Sequence, residues 1–121
     1  MRVIDDKIST LISKGLRGEK FDRKLSKRDR VVSDGNGKVR VILWNTEIAT
    51  FDGQAKEFIV KSGGYQTVTT KSRINAMLYY WSDGNTSISQ RTWVWYLDEQ
   101  CPLTLDWKSH EFKGVARFPL T

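Results

Sequence analysis

The tetrapeptide Asp34-Gly35-Asn36-Gly37 constrains the fold more than any other stretch. Glycine and asparagine accept the positive φ angles of tight turns, so a reversal is expected there. The texture of the chain changes across it. Before it, Ile4, Ile8, Leu11, Ile12 and Leu16 recur at three- and four-residue intervals, which predicts an amphipathic helix with Asp5 and Asp6 in its first turn and Gly15 or Gly18 at its end. Residues 20–30 offer only Phe21 and Leu25 to a core, and read as a short, weakly packed helix or an arm.

After the turn the pattern alternates. Strands are expected over 38–44, 47–51 and 57–61, with Asp52-Gly53 as a hairpin-type turn, which makes a β-meander. Ser62-Gly63-Gly64 interrupts it. A helix capped by Thr69 or Thr70 then runs to Trp81, with Ile74, Met77, Leu78 and Trp81 on one face and Gly84 as a stop. Strands resume over 87–90, 92–97, 103–107 and 111–118. The expected class is α+β in a single domain: a twisted antiparallel β-sheet packed against one or two helices. Within it, 1–37 forms a basic helical N-terminal segment and 38–121 a β-rich core with one helix near 70–82.

A chain of 121 residues has the length of one ordinary domain. No apolar run approaches the ~20 residues that a membrane-spanning helix needs, and the first residues carry acids where a secretory signal needs a basic start. The lone Cys101 fits a reducing compartment. A cytoplasmic protein without a membrane role is expected. No enzyme is expected either, since phosphate-loop, dinucleotide and metalloprotease signatures are missing and the single histidine, His110, has no family signature around it. Catalytic residues, metal ligands and cofactors are all read as none.

Charge is unevenly distributed. The first thirty residues hold ten bases and five acids, whereas the rest hold ten and nine. Arg17, Lys20, Arg23, Lys24, Lys27, Arg28 and Arg30 make a positive field that attracts nucleic acid or an acidic protein surface. Tyr65 and Tyr96 are the aromatic candidates for stacking on bases, while Trp93, Trp95 and Leu97 share the core face of a strand. A second candidate is an anion corner. Gly63 and Gly64 let backbone N–H groups converge, a helix starting near Thr70 aims its free N–H groups at the same place, and Lys71 and Arg73 add charge.

The order WNTEIATFDG, FIVKSGGYQTVTTKSRINAML and TWVWYL, over roughly residues 43–97, resembles a family of small proteins of tailed bacteriophages. The matching residues are Gly63, Gly64, Tyr65, Thr67, Thr69, Thr70, Lys71, Arg73, Ile74 and Asn75; Tyr65 stands where tryptophan is more usual. The resemblance implies a phage accessory protein working in the host cytoplasm and no particular mechanism. Three ligand classes follow: nucleic acid bound without catalysis, a host protein inhibited in host takeover or counter-defence, or a small nucleotide or anion sequestered. Homo-oligomerisation stays open, because an exposed β edge can pair with its twin.

Overall fold

The computed structural model describes residues 3–64, 66–82 and 85–120. The helical spacing at the start becomes α1 (Val3–Leu16), which buries Ile8, Leu11 and Ile12. Gly18 ends it at φ 99°, a left-handed conformation open to glycine, and its N–H donates to the Gly15 carbonyl at 3.0 Å. Gly15 has another role. A Cβ at that position would lie 2.4 Å from Cγ2 of Val39 and 3.1 Å from Cβ of Ser33, so the missing side chain sets how closely α1 approaches the sheet. Gly15→Ala gains up to ~1 kcal/mol of helix propensity, yet overpacking a filled core costs ~1–3 kcal/mol. A net loss of stability is expected, read as a lower denaturant midpoint at unchanged slope; a midpoint raised above wild type would show that the helix can back away freely.

Residues 20–30 are neither helix nor arm. They supply β1 (Lys20–Lys24) and, with the residues that follow, β2 (Asp29–Asp34), an antiparallel hairpin with Phe21 opposite Ser33 and Arg23 opposite Val31. Segment 1–37, expected to be helical, is helical only over α1 and adds two strands to the large sheet. An edge strand covered on one face needs few apolar residues, which is why its composition hides it.

The next strands are β3 (Lys38–Leu43), β4 (Thr46–Asp52) and β5 (Glu57–Lys61), followed by α2 (Val68–Trp81). Then come β6 (Thr86–Arg91), β7 (Val94–Gln100), β8 (Trp107–Glu111) and β9 (Val115–Pro119). A six-stranded sheet runs β1-β2-β3-β4-β5-β9 and a three-stranded one runs β6-β7-β8; every pairing is antiparallel, so the protein is α+β. One face of the large sheet buries Val31, Val39, Val41, Leu43, Phe51, Phe58 and Val60 beneath the two helices. A bulge between Val41 and Ile42 turns both Ile48 and Ala49 inward. Phe51 stacks on Phe58 at 4.8 Å, and Phe58 meets Phe118 at 5.4 Å, which seals β9 to β5. The opposite face carries ion pairs, among them the exposed Arg30–Asp22, the half-buried Lys61–Glu47 and Arg117–Glu57.

Two expectations about the small sheet need correction. Trp93 lies in the β6–β7 turn at φ 67°, next to Thr92 at 52°, and is 87% exposed, so only Trp95 and Leu97 reach the core. The strand expected over 103–107 is a turn closed by Cys101 N–H to Asp106 O and Leu105 N–H to Cys101 O; the strand itself begins at Trp107. Among the described residues, no helix is long and apolar enough to cross a membrane.

Candidate functional site

The cations of the hairpin lie along the open edge of the large sheet. Lys20, Lys24 and Arg30 share the outer face, Arg23 points to the other, and Lys27 and Arg28 form the loop. Arg30 is engaged by Asp22, which its hydrogen bonds and charge hold well below the usual carboxylate range. Arg28 is 3.7 Å from Asp29. Among the described residues, Lys20, Arg23, Lys24 and Lys27 have no ion-pair partner. Arg17, just past α1, continues the row at the end of the hairpin away from its loop. Lys24 stands directly opposite Arg30, whose charge Asp22 already offsets.

The loop of this hairpin is held from within. Asp29 is 3% exposed and accepts hydrogen bonds from Arg73 Nε at 2.7 Å, Arg73 Nη2 at 3.3 Å and Ser26 Oγ at 2.8 Å. Asp5 of α1 takes the remaining arm, Nη1 to Oδ1 at 3.4 Å. Burial pushes the Asp29 carboxyl up, but the hydrogen bonds from Arg73 and Ser26 and the nearby guanidinium charges outweigh it and leave its pKa lowered. The Asp29 carbonyl accepts from Leu25 N–H at 2.8 Å, and the Arg28 carbonyl accepts from Trp44 N–H at 2.9 Å.

That last bond places an unforeseen residue in the site. Trp44 and Asn45 are the two-residue turn between β3 and β4, at φ 51° and 63°, a conformation that turns of this length require and that suits asparagine or glycine. A tryptophan held there is strained, and strain of this kind gathers at functional positions. Its ring is 63% exposed. Beside it opens a cleft of about 290 Å³ lined by Leu43, Trp44, Thr46, Ile48, Ser62, Thr67 and Thr70, between the turn and the first turn of α2. The sequence signal for Trp44 is the two-residue gap between strands; the strand expected over 38–44 ends at Leu43, which releases Trp44 into the turn.

The expected anion corner is divided. Arg73 is 1% exposed and faces Asp5 and Asp29, not Gly63 and Gly64, because one helical turn carries it from the start of α2 under the β2–β3 face. Lys71 is half-buried and lines neither neighbouring cleft. Gly63 and Gly64 open on a shallow depression of about 660 Å³ with Lys61, Gln66 and Lys113, while Thr70 faces the cleft beside Trp44. Gly63, at φ 64°, is needed for packing as well, since a Cβ would come 2.2 Å from Cγ2 of Thr46. The helix cap is Thr67, which accepts from Thr70 N–H at 3.1 Å, rather than Thr69 or Thr70. Of the stacking candidates, Tyr65 lies outside the described residues. Tyr96 is half-buried on the small sheet with the Arg91 guanidinium 4.3 Å from its ring centre, so a cation of the protein already occupies it. It does not join the hairpin.

The segment that carries the family resemblance is thus largely structural. Ile74 is fully buried, Arg73 pairs in the core, and Asn75 bonds the backbone of Ile88 through both ends of its carboxamide, at 2.9 and 2.6 Å. No curated protein and no solved structure matches the chain. The model of the Kyanoviridae Gp96 protein matches residues 1–118, and the chain belongs to that bacteriophage family.

Proposed function

We propose that this phage protein binds nucleic acid, without catalysing a reaction on it, along the cationic edge of β1. The observation that carries this reading is the row Lys20, Arg23, Lys24 and Lys27: cations without an acidic partner among the described residues, set along β1 and its loop and continued by Arg17 and Arg28. Lysines on an edge strand also deter pairing with other sheets, which alone would explain one or two of them. A row spaced along a strand presents its charges at intervals that a phosphate backbone can follow, and the three arginines add donors suited to phosphate.

The test is a salt titration of binding to a labelled oligonucleotide. Each neutralised phosphate contributes a slope of roughly 0.7–0.9 in log affinity against log salt. Replacing Arg23, Lys24, Lys27 and Arg28 together by glutamine is expected to weaken binding at low salt by at least about tenfold and to flatten the slope by about 2–4. Unchanged affinity would remove the edge from consideration. The same edge would also suit an acidic host protein. Nuclease treatment before recovery of the tagged protein from infected cells separates the two, since a protein partner survives it.

A further inference from the structure

We infer that the cleft beside Trp44 receives one unstacked nucleobase of the bound strand, so that the protein selects single-stranded over paired nucleic acid. The inference rests on the reading of the β1 edge as a phosphate track, and names what the neighbouring cleft does with the rest of the nucleotide.

Five features of the cleft define its ligand. Its volume of about 290 Å³ lies at the small end of the ~300–1,000 Å³ typical of ligand sites, which suits one base or nucleoside and nothing larger. Its floor is apolar, from Leu43 and Ile48, and its rim is a set of neutral hydroxyls from Thr46, Ser62, Thr67 and Thr70. Among the described residues no charged side chain lines it, so a phosphate would be poorly held, whereas a flat neutral heterocycle finds both surface and hydrogen bonds. Thr67 and Thr70 share one hydrogen bond at 3.0 Å; of the two hydroxyl protons only one is consumed, and the other is free to donate to a ring nitrogen or carbonyl. Trp44 supplies an exposed aromatic surface at the lip.

Position links the cleft to the track. The backbone of Trp44 is bonded to the Arg28 carbonyl, so the aromatic lip and the cationic loop are fixed to one another. A phosphate held by Lys27 or Arg28 then has its base directed toward Trp44. A base locked in a duplex cannot enter, because it would first have to leave its stack.

The experiment compares three probes by fluorescence anisotropy on the full chain: a labelled single strand of mixed sequence, the same strand with abasic sugars throughout, and the hybridised duplex. Wild type is expected to bind the intact strand about tenfold more tightly than the abasic strand or the duplex, the scale of one base–aromatic stack. Trp44→Ala should remove most of that preference, and Thr70→Val, which keeps volume but deletes a hydroxyl, should reduce it while abasic binding stays as in wild type. Thermal melts confirm that each variant is folded, and either folded variant suffices. Equal binding of intact and abasic strands by wild type overturns the base pocket and leaves the phosphate track standing. Binding of none of the three probes overturns the track, and the pocket with it. A preference for the intact strand that both variants retain also overturns the pocket, since the base is then read elsewhere.

Discussion

Replacing Arg73 by glutamine is expected to lower the free energy of unfolding by about 3–5 kcal/mol, the cost of breaking a buried ion pair and leaving its charge behind. The guanidinium is the shared partner of Asp29 and Asp5, each at most 5% exposed, and glutamine can neither span both nor balance their charge. The loss should depend on pH in a defined direction. In wild type the pKa of Asp29 is lowered by folding, so its contribution is complete above the unfolded carboxylate value and fades only as pH falls through the lower folded one. Without Arg73, burial loses its main counterweight and the Asp29 pKa rises. The variant's deficit is therefore largest near neutral pH and narrows on acidification, as the stranded carboxyl takes up a proton. Adding Asp29→Asn should recover part of the loss at neutral pH. Urea unfolding at a series of pH values measures all of this; a deficit below about 1 kcal/mol, constant with pH, would mean that the trio is solvated and of little weight.

The second large effect is expected at Asn75. Its carboxamide pairs with the backbone of Ile88 as a neighbouring strand would, donating to the carbonyl and accepting from the N–H, and so closes the inner edge of the small sheet against α2. Asn75→Ala strands two backbone groups at a residue 3% exposed. At ~1–3 kcal/mol for each unsatisfied group, a loss of about 2–4 kcal/mol follows. Asn75→Asp should fail almost as badly, since its second oxygen faces a carbonyl. Amide exchange locates the effect: the Ile88 N–H should lose protection first and the large sheet should keep it. Uniform loss across both sheets would show that the two unfold as one unit and that Asn75 is not their joint.

Much of this fold was legible because local patterns agree with tertiary placement. Three- and four-residue spacing identified α1 and the buried face of α2, and alternation identified β3, β4 and β5. What escaped had a physical cause each time. The strand β1 carries four charges in five residues, tolerable only because it lies at an edge, and no local rule separates that from a solvated arm. Thr92-Trp93 turns the chain without glycine, asparagine or proline, so alternation alone puts Trp93 on the core face with Trp95. Arg73 is not legible as a core residue because its partners are 44 and 68 residues away, and an arginine after a helix start looks the same whether it meets an anion or two buried acids. The loop cations were visible as composition; the tryptophan next to them became visible only when the Trp44–Arg28 bond placed it.

The position of β9 bears on how the chain reaches this state. Strands β1 to β5 join in sequence order through short turns, whereas β9 pairs with β5 across the intervening residues 62–114. Hairpins close in ~1–10 μs, but a long loop must give up more chain entropy before its contacts repay it. On a ribosome the difference is greater, because the meander and α2 emerge before β9 is made. Until it arrives, β5 is an uncovered edge and Phe58 lacks its contact with Phe118. The finished sheet guards one border with the lysines of β1; the nascent sheet has only Glu57 and Lys61, at the two ends of β5, to guard the other. Slower translation would prolong that open interval, and the yield of folded protein should fall with local chain concentration during synthesis far more than with the stability of the finished fold.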